Sequence, residues 1–111
     1  MVGHFAGSDS ASVNGGIQNN ASGPYSTVSS GYGNNASEYY SSISGASNST
    51  ATGFYSSVSG GYSNHATEYY SSVTGGQNNT ASGYYSSVGG GANRTQPNNS
   101  WFTGGSLTGT P

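Results

Sequence analysis

The strongest constraint on the fold is a period of 15 residues that the chain keeps without a slip. Tyr recurs at 25, 40, 55, 70 and 85, Ala at 21, 36, 51, 66 and 81, and a β-branched residue at 13, 28, 43, 58, 73 and 88. The abundant Gly, Ser, Thr and Asn are typical of disordered low-complexity chains, but such chains tolerate insertions. A register kept over five units therefore predicts stacked repeats.

The repeat length selects the kind of stack. Fifteen residues are too few for a helical hairpin, and no apolar set recurs at i, i+3, i+4 and i+7. The segment YYSSV is rich in strand formers, whereas the Gly-Gly and Asn-rich stretch after it favours turns with positive φ. We therefore predict an all-β fold, a parallel β-solenoid or β-roll with two short strands per coil and coils stacked at ~4.8 Å.

The period also predicts the domain organisation. Residues 1–12 form an N-terminal partial coil or cap, residues 13–95 the solenoid, and residues 96–111 a C-terminal cap or assembly tail. Small interior residues are expected because a narrow coil has no room for large ones. The predicted core ladder is Val13, Val28, Ile43, Val58, Val73, Val88, Ala21, Ala36, Ala51, Ala66 and Ala81.

Open solenoid ends expose unpaired strand edges. The residues expected to cap them, or to join molecules head to tail, are Val2, Phe5, Trp101, Phe102 and Leu107.

Composition excludes several classes of function. Only 12 of 111 residues are Leu, Ile, Val or Phe, too few for a conventional core. With one Lys or Arg and a net charge of −2, the chain cannot neutralise a row of phosphates, so we expect no nucleic-acid partner and no membrane insertion. The absence of Cys removes disulfides, zinc fingers and thiol catalysis. The first residues, MVGHFAGSDS, show neither the basic start nor the apolar run of a secretory signal.

The tyrosines predict an association surface. Side chains alternate along a strand, so the positions of Phe54 and Tyr55 cannot both face one thin interior, and at least one aromatic ladder should lie on the surface. An exposed aromatic stripe with almost no charge around it is typical of an interface. The alternative is that the tyrosines tile a solvated face. The predicted self-association ladder is Tyr25, Tyr40, Tyr55, Tyr70 and Tyr85.

No catalytic, cofactor or metal site is predicted. The few ionisable candidates are scattered along the chain: His4, His65, Asp9, Glu38 and Glu68. The repeat also lacks the GGxGxD pattern of calcium-binding β-rolls. The two glutamates share one position in alternate units, roughly 10 Å apart, which separates their charges and exceeds the carboxyl spacings that glycosidases use.

Six sequons are candidate glycosylation sites: Asn20, Asn35, Asn48, Asn78, Asn93 and Asn98.

The phrase SSVSGGYSNHATEYYSS and its relatives resemble the head repeats of trimeric autotransporter adhesins, the YadA-like heads. Ser57-Val58 followed by Gly60-Gly61 is similar to the first element of that repeat, and Ala81-Ser82-Gly83 to the second. The likeness covers residues 13–95 and implies a left-handed roll, trimerisation and attachment to host matrix. This repeat is one residue longer, has Gly-Gly in place of Ile-Gly and is far richer in Tyr, and residues 96–111 do not show the pattern of a neck, stalk or anchor.

These observations favour a non-enzymatic structural protein. We expect it outside the cell, on a cell or virion surface, where it self-associates into a homotrimeric rod or a head-to-tail filament and contacts glycans or host matrix. The alternative is a soluble binding module whose Ser, Thr, Asn and Tyr arrays contact carbohydrate or ice. Thr27, Thr50, Thr52, Thr67, Thr74 and Thr80 do not form one unbroken ladder, which counts against ice.

Overall fold

A computed structural model of the chain describes residues 5–6, 9–97 and 101–102. Each strand in it is two residues long. In chain order the strands are β1 (Phe5–Ala6), β2 (Ser12–Val13), β3 (Asn20–Ala21), β4 (Thr27–Val28), β5 (Gly31–Tyr32), β6 (Asn35–Ala36), β7 (Ser42–Ile43), β8 (Ala46–Ser47), β9 (Thr50–Ala51), β10 (Ser57–Val58), β11 (Gly61–Tyr62), β12 (His65–Ala66), β13 (Ser72–Val73), β14 (Thr80–Ala81), β15 (Ser87–Val88), β16 (Thr95–Gln96) and β17 (Trp101–Phe102).

The strands form three parallel sheets along one axis. The alanine sheet has the order β1-β3-β6-β9-β12-β14-β16, and the valine sheet has the order β17-β15-β13-β10-β7-β4-β2. A third, edge sheet contains β11, β8 and β5. Pairing joins residues 15 apart, as in Val58 with Val73 and Ala66 with Ala81. The predicted all-β parallel solenoid with 15-residue coils is therefore confirmed, and the edge sheet adds a third strand to some coils.

Backbone hydrogen bonds tie each coil to the next. The amides of Ser57 and Ser59 donate to the carbonyls of Ser71 and Val73 at 3.0 and 2.9 Å. Because each strand pairs on both sides within the stack, short strands suffice to satisfy the backbone. The molecule is a flat blade with extents of 47 × 21 × 12 Å.

The core is a set of ladders of small side chains between the alanine and valine sheets. The Val and Ile series is buried from Val28 to Val88, and the Ala series is buried from Ala21 to Ala81. Val13, the first rung of the predicted series, is half-buried and packs against this cluster. A serine ladder is also buried: Ser26, Ser41, Ser56, Ser71 and Ser86.

An asparagine ladder lies inside the blade, where the sequence had suggested only turn formers. Asn64 Oδ1 accepts from the amide of Asn79 in the next coil at 2.9 Å. Its Nδ2 donates to the carbonyls of Gly60 and Gly76 at 2.9 and 3.1 Å. The other rungs repeat this pattern: Asn19, Asn34 and Asn79. Each buried amide thus bridges two coils, and the interior is held by hydrogen bonds as well as apolar contact.

One coil departs from the pattern in two coupled places. Ser49 replaces Asn in the ladder, and its Oγ accepts from the amide of Asn64 at 3.0 Å. Three residues earlier Ala46, which is buried, occupies the position held by Gly31 and Gly61. At Gly31, where φ is 110°, a Cβ would overlap the carbonyl oxygen of Ala46 in the next coil and lie 2.6 Å from Nδ2 of its own ladder Asn. Gly with a positive φ thus accompanies the ladder Asn, whereas Ala46, which has no positive φ, accompanies the smaller Ser49.

The terminal strands extend the stack by part of a coil at each end. The backbone of Phe5–Ala6 pairs with Asn20–Ala21. The backbone of Trp101–Phe102 pairs with Ser87–Val88 of the same chain, one residue out of the 15-residue register. Val2, His4, Asn98 and Leu107 lie outside the described residues.

Candidate functional site

The most distinctive surface is the edge where a four-residue turn links the alanine sheet to the valine sheet. In the turn 53–56, the amide of Ser56 donates to the carbonyl of Gly53 at 3.1 Å, and the amide of Gly53 donates to Ser56 Oγ at 3.1 Å. Tyr55, the third residue, has φ of 61°. This is the geometry of a type II turn, which also favours Pro at the second position, where Pro24 lies. The buried serine ladder closes this turn in successive coils.

Tyr occupies the left-handed position of this turn in five successive coils. The φ values are 60° at Tyr25, 59° at Tyr40, 61° at Tyr55, 58° at Tyr70 and 60° at Tyr85. For an L-residue with a Cβ this conformation costs roughly 1–2 kcal/mol, and Gly avoids the cost. A bulky residue repeated in five coils at a position that suits Gly makes the ring a candidate functional feature.

The rings of these five residues form a continuous stack, termed here the outer ladder. Successive ring centroids are 5.0, 4.9, 4.9 and 5.1 Å apart, with interplanar angles of 7°, 3°, 0° and 5°. The side chains are 46–62% exposed. These are the predicted self-association residues, and the structure places all five on one exposed edge.

A second stack, the inner ladder, lies beside the outer one. Tyr39, Phe54, Tyr69 and Tyr84 stack with centroid separations of 5.2, 4.9 and 5.3 Å. Simple alternation would point Phe54 inward with Val58, but the turn interrupts the strand, and the three tyrosines of this ladder are exposed. Both aromatic series therefore lie on the surface, and the edge is two rings wide.

Stacking decides what this edge offers to a partner. Neighbouring rings lie parallel along the ladder and partly cover each other's faces, while the exposed parts of the rings remain open to a partner. A sugar that binds by lying flat on an aromatic face would find the least covered faces at the ladder ends. The edge suits a partner that packs against a row of ring edges at a constant spacing.

The glutamates flank this aromatic edge in alternate coils, for a steric reason as well as an electrostatic one. Glu38 and Glu68 occupy the first position of the turn, where the other coils have Gly23 and Gly53. A Cβ on Gly53 would overlap the backbone of Glu68, with 2.7 Å to its Cα. Alternation therefore separates the charges and leaves room for close approach of the backbones.

The two broad faces of the blade carry short polar side chains. On the alanine sheet, outward positions flank each buried Ala, as Thr50 and Thr52 flank Ala51. His65 lies in this array, and its Nδ1 is 2.7 Å from Thr50 Oγ1. Ser and Thr occupy most outward positions of the valine sheet as well, so both faces present regular hydroxyl arrays almost free of charge.

The sequons fall at two kinds of position. Asn48, Asn78 and Asn93 are exposed in the turn beside the edge sheet and have φ of 52°, 56° and 59°. Asn20 and Asn35 are half-buried in strands of the alanine sheet. The first group is open to modification, whereas the second is confined between neighbouring strands.

The edge opposite the ladders contains aromatic residues that the prediction did not assign. Tyr32 and Tyr62 are 48% and 49% exposed and lie two coils apart, with Ser47 between them in the edge sheet. Their 30-residue spacing in the sequence, twice the coil length, is the signal by which they could have been found. They serve as internal references for the ladder tyrosines, because they have similar exposure.

Comparisons with known proteins add no assignment to this geometry. The chain matches no protein-family model. A search of curated proteins also finds no match. Within residues 5–6, 9–97 and 101–102, no helix is long and apolar enough to cross a bilayer. The same part of the chain contains no group of three or more His, Cys, Asp or Glu residues placed to hold a metal ion.

Proposed function

We propose that this protein is a structural, self-associating β-solenoid whose aromatic edge joins copies into a trimeric rod or a filament. The observation that carries the proposal is the pair of exposed aromatic ladders along one edge. Soluble monomers seldom expose contiguous apolar patches of this kind. Tyr is enriched at interfaces because it combines a large apolar ring with a hydroxyl.

A second copy of the chain is the partner that matches this edge in spacing. Every rung repeats at about 5 Å, close to the ~4.8 Å spacing of paired strands, so only an object with the same repeat contacts all rungs equivalently. Each of the three interior rings, Tyr40, Tyr55 and Tyr70, lies between two others, which limits its motion before binding. Rigid aromatic side chains lose little conformational entropy on association.

The extracellular, adhesin-like setting belongs to the same proposal. Three exposed sequons in one type of turn would place sugars along the edge opposite the ladders, leaving the aromatic edge free for assembly. A chain without Cys suits an oxidising exterior. Contact with glycans or host matrix would then fall to the broad polar faces. No catalytic activity is proposed for the protein.

The two broad faces of the blade support a second candidate function, that of a soluble module that binds carbohydrate or ice. The arrays of hydroxyls that flank the buried Ala series support this candidate. Ice binding is less favoured than carbohydrate binding, because the outward positions of the alanine sheet mix Ser, Thr, Asn and His. Thermal hysteresis or glycan-array binding by a discrete monomer would favour this candidate over self-association.

The proposed function is tested by native molar mass, measured by light scattering on a sizing column. The wild-type protein should elute at about three times the 11.1 kDa chain mass, or as larger fibres. In a triple variant, Tyr40→Asn, Tyr55→Asn and Tyr70→Asn remove three rings while keeping residues that tolerate the left-handed backbone. The variant should shift toward the monomer.

The matched control removes exposed tyrosines outside the ladders. Tyr32→Ser with Tyr62→Ser introduces the residue that Ser47 already supplies at the equivalent position. The control should keep the wild-type mass. A monomeric wild-type protein, or equal dissociation of the variant and the control, would refute association through the aromatic edge.

A further inference from the structure

We propose that the outer ladder is a site of oxidative cross-linking between chains, in which a one-electron oxidant of the peroxidase class joins tyrosines as dityrosine. The inference rests on the proposed self-association, because the bond forms between two copies in contact.

The two ladders differ in their use of the hydroxyl group. The inner ladder includes Phe54 among its four rungs, so stacking at that position does not require a phenol. Pro24 occupies the equivalent position one coil earlier. The outer ladder has Tyr at each of its five rungs, at a backbone position that disfavours any residue with a Cβ. Phe would provide the same stacking, so its absence from the outer ladder indicates a use for the hydroxyls.

The geometry allows the bond between chains and opposes it within the ladder. Dityrosine joins the Cε atoms of two rings by a bond in the plane of each ring, so the rings must approach edge to edge. Neighbours within the outer ladder are stacked with nearly parallel rings, as in Tyr55 and Tyr70 at 4.9 Å and 0°. In the proposed assembly, the exposed parts of these rings meet the rings of a second copy.

The reaction balances with hydrogen peroxide as the terminal oxidant. Each of two phenols loses one electron and one proton to become a phenoxyl radical, whose unpaired electron is shared between oxygen and the ortho Cε carbons. The two radicals form a Cε–Cε bond, and the hydrogen on each coupled carbon moves to its oxygen, which restores both phenols. Peroxide accepts the two electrons and two protons and is reduced to two waters.

The experiment treats the full chain with hydrogen peroxide and a haem peroxidase. Wild-type protein should give dityrosine fluorescence and bands at multiples of 11.1 kDa on a denaturing gel. Replacing the outer ladder by Phe (Tyr25→Phe, Tyr40→Phe, Tyr55→Phe, Tyr70→Phe and Tyr85→Phe) keeps every ring and should reduce the covalent multimers at least tenfold. The control, Tyr32→Phe with Tyr62→Phe, should stay within twofold of wild type.

Peptide mapping of the wild-type multimers gives a second readout that does not depend on folding of the variants. The cross-linked peptides should contain outer-ladder tyrosines on both sides of the bond. Cross-links mapped mainly to Tyr32 and Tyr62, or dityrosine confined to bands of single-chain mass, would overturn the inference.

Native molar mass before oxidation separates this inference from the proposed function. If the protein is assembled before oxidation but its cross-links avoid the outer ladder, the proposed function stands and this inference is refuted. If the protein is monomeric before oxidation, both are refuted, even if random collisions later produce multimers.

Discussion

The coupling between the asparagine ladder and its glycines leads to a quantitative prediction for Gly61 and Asn64. Gly61 has φ of 92°, and a Cβ there would overlap Nδ2 of Asn64 and the carbonyl oxygen of Gly76. Overpacking costs about 1–3 kcal/mol, and a left-handed backbone with a Cβ costs roughly 1–2 kcal/mol more. Gly61→Ala should therefore lower the free energy of unfolding by about 2–5 kcal/mol.

The single change at Asn64 acts through hydrogen bonds. Asn64→Ser removes the two donations from Nδ2 to Gly60 and Gly76 while keeping an oxygen that can accept from the next coil, as Ser49 Oγ does. Loss of these two hydrogen bonds, at about 0.5–1.5 kcal/mol each, should cost about 1–3 kcal/mol. The carbonyl of Gly76 keeps the amide of Tyr62 as a donor at 3.0 Å.

The double variant, Gly61→Ala with Asn64→Ser, recreates the natural pair of Ala46 and Ser49. Ala46 does not have the positive φ of Gly61, so removal of the Asn amide should let the backbone adopt that alternative geometry. The double variant should be more stable than the sum of the single effects by about 1–3 kcal/mol.

The assay is urea unfolding followed by circular dichroism at one fixed protein concentration, because association couples to stability. Gly75→Ala is the matched control, since a Cβ there meets nothing within 4 Å and φ is not positive. It should change stability by no more than about 0.5 kcal/mol. Additive effects in the double variant, within about 0.5 kcal/mol, would refute the coupling.

Three further predictions concern the core, the turn and the sequons. Ile43→Ala, at a fully buried rung, should destabilise the protein by about 2–5 kcal/mol in the same unfolding assay, and an effect below about 1 kcal/mol would contradict a packed core. Gly53→Ala should cost about 1–3 kcal/mol, because its Cβ would overlap the backbone of Glu68; stability equal to that of the Gly75→Ala control would contradict this steric reading. In a glycosylating eukaryotic secretory host, mass spectrometry should find higher occupancy at Asn78 than at Asn35, and the reverse order would oppose the exposure argument.

The period in the sequence was sufficient to predict the overall architecture. A β-branched residue and an Ala at fixed positions of every unit identified the two inward-facing series, and parallel stacking followed from the constant register. The left-handedness implied by the family resemblance stays a prediction, as do the trimer and the extracellular location.

The interior asparagines were missed although they keep the same period. Asn19, Asn34, Asn64 and Asn79 recur every 15 residues with Ser49 between them, but Asn near Gly usually indicates a turn. Their burial depends on hydrogen bonds to carbonyls 4 and 12 residues away, and those partners become neighbours only after the coils stack.

The position of the aromatic ladders required knowledge of the turn. Alternation along a strand correctly indicated that Phe54 and Tyr55 cannot both point inward, yet it could not show that both lie outside. The deciding feature is the positive φ at Tyr55, and single-residue preferences argue against Tyr at such a position.

Association through the outer ladder is tested most directly by covalent footprinting of tyrosines in the assembled and the diluted protein. Brief modification with a tyrosine-selective reagent, followed by mass spectrometry, measures the reactivity of each side chain. We expect Tyr40, Tyr55 and Tyr70 to be protected in the assembly and to become reactive on dilution, whereas Tyr32 and Tyr62 should react equally in both states. Protection of Tyr32 and Tyr62 with no change at the ladder would contradict it.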